Sequence, residues 1–212
     1  MESNKKSVLL TFLSFICILT FFIIVILFHL FRTDHDPLLQ TMSEYTIGPF
    51  GFFFPIALLI LGLSSLLSGI AIRIMLPVTP LTKKSFRAFQ LWTIFIIITG
   101  IFPTDYITGP YSFSGIMHGV ASFFAFLFFP ISLYYISQFY RKEVGSTFNY
   151  YRYQVYFYVC LSGFIFYLIS PLGYKGMTQR IFLGIIIIAY IDMISIPLRN
   201  VLLSTKNKDN NK

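Results

Sequence analysis

The sequence predicts an all-α fold: an integral membrane bundle of six transmembrane helices with N- and C-termini cytoplasmic. Three observations predict it. Of 212 residues, 56% are hydrophobic and 11% charged, and mean hydropathy is +0.76, so sixteen basic and eight acidic residues cannot clothe a water-soluble core of this size. Apolar runs near the bilayer-crossing length of about 20 residues recur along the chain, bounded by charge, Pro or Gly. Lys and Arg segregate into alternate connections.

The elements follow in order. Residues 1–7 form a cytoplasmic N-terminus, 8–200 the transmembrane domain and 201–212 a polar cytoplasmic tail. The spans are expected at about 8–31, 50–72, 88–103, 115–139, 153–170 and 181–198. The first is too long and evenly apolar for a signal-peptide core, and no small-residue cleavage site precedes Arg32, so it reads as an uncleaved span. The third is short and should borrow residues from its flanks. With the N-terminus inside, thirteen Lys and Arg face the cytoplasm, whereas Arg32, Lys175 and Arg180 alone lie outside.

That sorting assigns the net charge of +8 to anionic membrane lipids as partners and excludes a nucleic acid. Tyrosines from Tyr134 to Tyr158 around the second inner loop read as interfacial anchors. Cys17 and Cys160 sit in apolar runs as packing residues. The residues leave protein partners, any cofactor and any metal unassigned. The expected location is the cell membrane, multi-pass, in a bacterium by the Ile, Phe, Lys and Asn-rich composition.

Within the spans, Gly62, Ser64, Ser65, Ser68 and Gly69 form a stripe suited to close helix packing, and Pro55 and Pro130 are possible kinks. Asp192 is the one acid inside a span, with Gln90 or Arg199 as its expected partner. Its ordinary role is a structural hydrogen bond; proton or ion coupling in a transporter is the sharper one.

The remaining acids and histidines gather on the outer side of the first four spans. Arg32, Asp34, His35 and Asp36 follow span one; Ser43 and Glu44 precede span two; Asp105 follows span three; His118 opens span four. Gly115, Gly119 and Ser122 share the face of His118, which turns the imidazole into the bundle and toward Asp105. A carboxylate orienting an imidazole serves acid–base chemistry or a metal ligand. The ordinary alternative is a set of hydrogen-bonded helix ends. A zinc site from His29, His35 and His118 lacks tight spacing. A Ser43, His118 and Asp105 triad lacks the strained turn of a nucleophile. No phosphate-cradling loop or dinucleotide fingerprint occurs.

The runs Asp34-His35-Asp36-Pro37, Gln40-Thr41-Met42-Ser43-Glu44-Tyr45, Gly100-Ile101-Phe102-Pro103-Thr104-Asp105 and Gly115-Ile116-Met117-His118-Gly119 resemble the bacterial and archaeal membrane family catalogued as domain of unknown function 998. The resemblance covers residues 10–200 or so. It implies a six-helix integral protein without an assigned reaction, and it draws attention to Asp36, Ser43, Glu44, Asp105 and His118. The layout is also similar, at greater distance, to DRAM-like membrane proteins. The alkaline ceramidases differ, since this chain lacks their His-x-x-x-His pair in its last spans.

Two readings result. One is a lipid-binding or regulatory membrane protein with a polar extracytoplasmic site over helices 1–4. The other is an outer-leaflet hydrolase or transferase acting on a lipid headgroup or lipid-linked substrate, with His118 as base or metal ligand, Asp105 as its orienter, Glu44 or Asp36 as a second acid or ligand, and Ser43 among the site residues without an assigned role.

Overall fold

The computed structural model describes residues 2–201; the expected polar tail from residue 202, with Lys206, Lys208 and Lys212, lies outside the described residues. Six long α-helices form among them: α1 Glu2–Phe31, α2 Phe53–Met75, α3 Pro80–Ile101, α4 Phe113–Phe139, α5 Thr147–Ile169 and α6 Lys175–Ile194, the last followed by a bend at Ser195 and further helical residues. No strand forms among the described residues.

The helices start where capping residues stand, not where hydropathy rises. Thr79 accepts from the Thr82 amide at 3.2 Å and Pro80 takes the first helical position, so α3 starts at residue 80 and carries Lys83, Lys84 and Arg87 within it, ahead of the expected 88. Ser146 caps α5 through the Asn149 amide at 3.4 Å, which starts that helix at 147 instead of 153. α6 likewise begins at Lys175 instead of 181. α2 begins at Phe53 instead of 50, because Gly48 (φ 86°) and Phe50 (φ 58°) turn the preceding chain through left-handed backbone. Pro55 falls in the first turn of α2, where no intrahelical hydrogen bond is lost, whereas Pro130 lies inside α4.

Consecutive helices pack side by side and α6 returns to α2. On α1 the buried residues are Ser7, Thr11, Ser14, Ile18, Phe21, Val25 and Phe28, alternating steps of four and three that Arg32 continues just past the helix end, while Leu9, Phe12, Leu19, Ile23, Ile26 and Leu30 face outward. A helix that turns hydroxyls inward and Leu, Ile and Phe outward inverts the water-facing pattern and suits an apolar solvent. α1, α2, α4 and α6 belong to four stretches long and apolar enough to cross a membrane: Asn4–Phe31, Phe53–Met75, Phe113–Val144 and Leu172–Val201. α3 and α5 are of similar length, but charged and polar side chains fill their first halves.

The small-residue stripe of α2 divides its work. Ser64 exchanges hydrogen bonds of 2.9 Å with Ser14 of α1 and meets the Tyr190 hydroxyl of α6 at 2.7 Å. Gly62 and Gly69 face α3, where Ile97 and Phe89 fill the space a side chain would need. Trp92, Phe129 and Tyr190 meet at the centre, with ring centroids 4.9–6.3 Å apart. At the opposite end from His118, Asp192 pairs with Arg199 at 2.6 Å and Arg152 at 3.4 Å. Arg199 is thus the partner, and Gln90 is exposed elsewhere on α3.

Candidate functional site

The connection between α1 and α2 folds into a lid held by Arg32. The guanidinium is 6% exposed and donates to both Asp34 carboxylate oxygens (2.7 and 2.8 Å) and to the carbonyls of Tyr45, Ile47 and Pro49 (3.1, 2.6 and 3.0 Å). Its hydrogen bond and charge hold the Asp34 carboxyl below the ordinary carboxylate range. His35 lies beneath the lid, stacked on Tyr45 at 4.1 Å, with Nε2 against the Thr41 carbonyl at 3.1 Å. Burial first, then the charge of Arg180, push its pKa down to about 4.

The lid docks on the first turns of α6. The Met177 amide donates to Leu38, Arg180 donates to the carbonyls of Pro37 and Gln40, and Gln179 accepts from the Met42 amide at 2.6 Å. Gly176 permits this approach, since a side chain there would collide with the Gln40 backbone oxygen.

Behind the lid lies a cavity of about 230 Å³ whose polar lining includes Ser43, Thr104, Asp105, His118, Ser122 and Gln179. His118 is 3% exposed. Its Nδ1 faces two carbonyls of the α3 terminus, Thr99 at 3.1 Å and Phe102 at 2.8 Å, which fixes the proton on that nitrogen. Nε2 then carries the lone pair, and it is buried without a partner. Asp105 is close but does not orient the imidazole: its oxygens accept from the Ser112 amide and hydroxyl at 2.6 and 3.1 Å, at the start of α4. Gly115 leaves room for that carboxylate. The lining holds no Lys or Arg.

Of the five expected site residues, Ser43, Asp105 and His118 line the cavity together. Glu44 is buried beside it as a strut, accepting from the Thr41 amide and hydroxyl and, across to the α3–α4 connection, from the Ile107 amide at 2.9 Å. Asp36 is exposed at the lid tip, where it accepts from the Leu38 amide, so it is not part of the site. The site also extends beyond the first four helices, because the docked lid brings Gln179 of α6 and Tyr167 of α5 to the wall. Gln179 and Arg180, a polar pair heading an apolar run, were the signal for this in the sequence. Among the described residues no three His, Cys, Asp or Glu side chains are grouped to hold a metal: His29 contacts Arg180, His35 the lid and His118 α3.

Four helices long and apolar enough to cross a membrane, with Leu, Ile and Phe facing outward, mark a membrane protein. The chain belongs to the family described as protein of unknown function DUF998, whose model matches residues 15–193. No curated protein and no solved structure matches it.

Proposed function

We propose that the chain is a multi-pass protein of the cell membrane, crossing six times with both ends in the cytoplasm, and that its outer mouth binds a membrane lipid without transforming it. The thirteen-to-three division of Lys and Arg supports the orientation. α3 and α5 cross with the others because they pack lengthwise between apolar neighbours and are 22 and 23 residues long, about 33 Å at 1.5 Å per residue.

The observation that carries the binding reading is the unpartnered Nε2 of His118, a buried acceptor on a residue that lines the cavity. Leaving such a group unsatisfied costs about 1–3 kcal/mol, which a bound donor recovers. The same lone pair favours the second reading, an outer-leaflet hydrolase with His118 as base. Two neutral carbonyls on Nδ1 stabilise an imidazolium less than a carboxylate does, so the geometry suits an acceptor better than a base.

The test compares the native protein with His118→Asn, whose amide nitrogen replaces Nδ1 as donor to Thr99 and Phe102 while no acceptor remains at the Nε2 position, the amide oxygen lying nearer the backbone. Native mass spectrometry from mild detergent should show a co-purifying lipid on the first and less on the second. Turnover of that lipid in vesicles by the native protein would establish the hydrolase reading in its place; absence of any retained lipid removes the binding reading.

A further inference from the structure

Below the mouth lies a second cavity of about 60 Å³, walled by Leu58, Leu61, Trp92, Ile96, Ile186 and Tyr190. Ser43, Ser122, Phe126 and Gln179 line both, so the chamber that holds His118 and Asp105 and the apolar slot adjoin at a shared neck. Building on the lipid-binding reading, we infer that the ligand is a single-chain lipid with an uncharged, hydroxyl-rich headgroup, seated with its hydroxyls on His118 and Asp105 and its acyl chain in the slot against Trp92.

Each end of that ligand answers to an observation. The chamber offers acceptors: the His118 Nε2 lone pair and the Asp105 carboxylate. A ligand O–H satisfies the Nε2 lone pair, and a second one shares the Asp105 carboxylate with Ser112. A phosphate or carboxylate would confront Asp105 with no Lys or Arg in the lining to offset the repulsion. The slot is almost wholly apolar, and at about 10–15 Å³ per water-sized sphere its volume accepts roughly four to six such spheres, room for one short run of methylenes and not for two chains. Its dry lining favours methylene groups over water.

Trp92, the single tryptophan of the sequence, is 1% exposed and sits on the slot wall, so it reports chain entry. The protein in mild detergent is titrated with a monoacylglycerol brominated on its acyl chain, and Trp92 fluorescence is read. Saturable quenching is expected, displaced by unlabelled monoacylglycerol but not by free glycerol, which separates a lipid headgroup from a soluble polyol. A brominated fatty acid and a brominated lysophospholipid should require about tenfold more probe, and His118→Asn should weaken the monoacylglycerol by about tenfold, the loss of one hydrogen bond. Ser122→Leu, which fills the neck and leaves the His118 Nδ1 contacts in place, should abolish saturation while the native melting temperature persists.

Quenching that rises linearly and equally for all three headgroups reflects micelle partitioning and overturns the inference. Equal saturation by the anionic probes overturns the headgroup assignment. A lipid retained in mass spectrometry and lost in His118→Asn, without saturable quenching, leaves the binding reading standing and removes the slot; loss of both signals removes both.

Discussion

Arg32→Lys keeps the charge at the centre of the lid and removes the planar fork. The arginine makes five hydrogen bonds, and those to Asp34 contribute little because that carboxylate is 53% exposed and water replaces its partner. The three carbonyls of Tyr45, Ile47 and Pro49 matter more. They converge on a fork whose N–H vectors an ammonium cannot reproduce, and Gly48 packs against its Nη2 edge, within 2.9 Å of where a Cβ would stand. Losing at least one charge-assisted bond and leaving a part-buried carbonyl unpaired should cost about 2–4 kcal/mol of lid closure, or about a hundredfold in the opening equilibrium. Hydrogen exchange by mass spectrometry reads this directly, since the amides of His35, Gln40, Glu44 and Ile47 are all bonded within the lid. These four should exchange faster while the helices stay protected. Lid exchange unchanged to within about threefold refutes the claim that Arg32 is the organising residue.

Three further outcomes follow from the same geometry. His35 is held neutral with a folded pKa of about 4 against an ordinary 6.5, so the unfolded lid binds more protons between these values and stability falls as pH drops through that window; His35→Phe should flatten the decline in melting temperature between pH 7 and 5. Asp192→Asn leaves Arg152 and Arg199 facing each other without their counter-charge and should lower stability by about 1–3 kcal/mol, with partial recovery in the double variant with Arg152→Gln, both read by thermal melting. In a background without Cys17 and Cys160, single cysteines at the exposed positions Leu38, Tyr111 and Leu172 should react with a membrane-impermeant maleimide on intact cells, and those at Val78 and Val144 should not; labelling at Val78 or Val144 refutes six crossings.

The helices were legible because each contains an apolar run too long for any loop. Their starts were not, because Thr79 and Ser146 cap helices whose first turns are polar and hydropathy does not register a cap. The meeting of Asp105 and His118 at one cavity was readable from the small-residue face that Gly115, Gly119 and Ser122 share with His118. Which atoms they use was not: the carboxylate serves the start of α4, and the imidazole serves backbone carbonyls that carry no residue identity. Asp36 was drawn into the expected site by proximity along the chain, yet the lid turns it outward. Gln179 was missed because the polar pair it forms with Arg180 marks a helix start without naming its partner, and its contact with Met42 spans 137 residues.

The docking of the lid on α6 also sets an order of assembly. Leu38 and Gln40 leave the ribosome early, whereas their partners Met177 and Arg180 are translated about 140 residues later. At about 5–20 residues per second the nascent chain waits on the order of ten seconds with this segment unanchored. Completion of the chamber is therefore among the last events of biogenesis, and a premature stop anywhere before residue 176 yields a membrane-inserted product whose lid has nothing to close on.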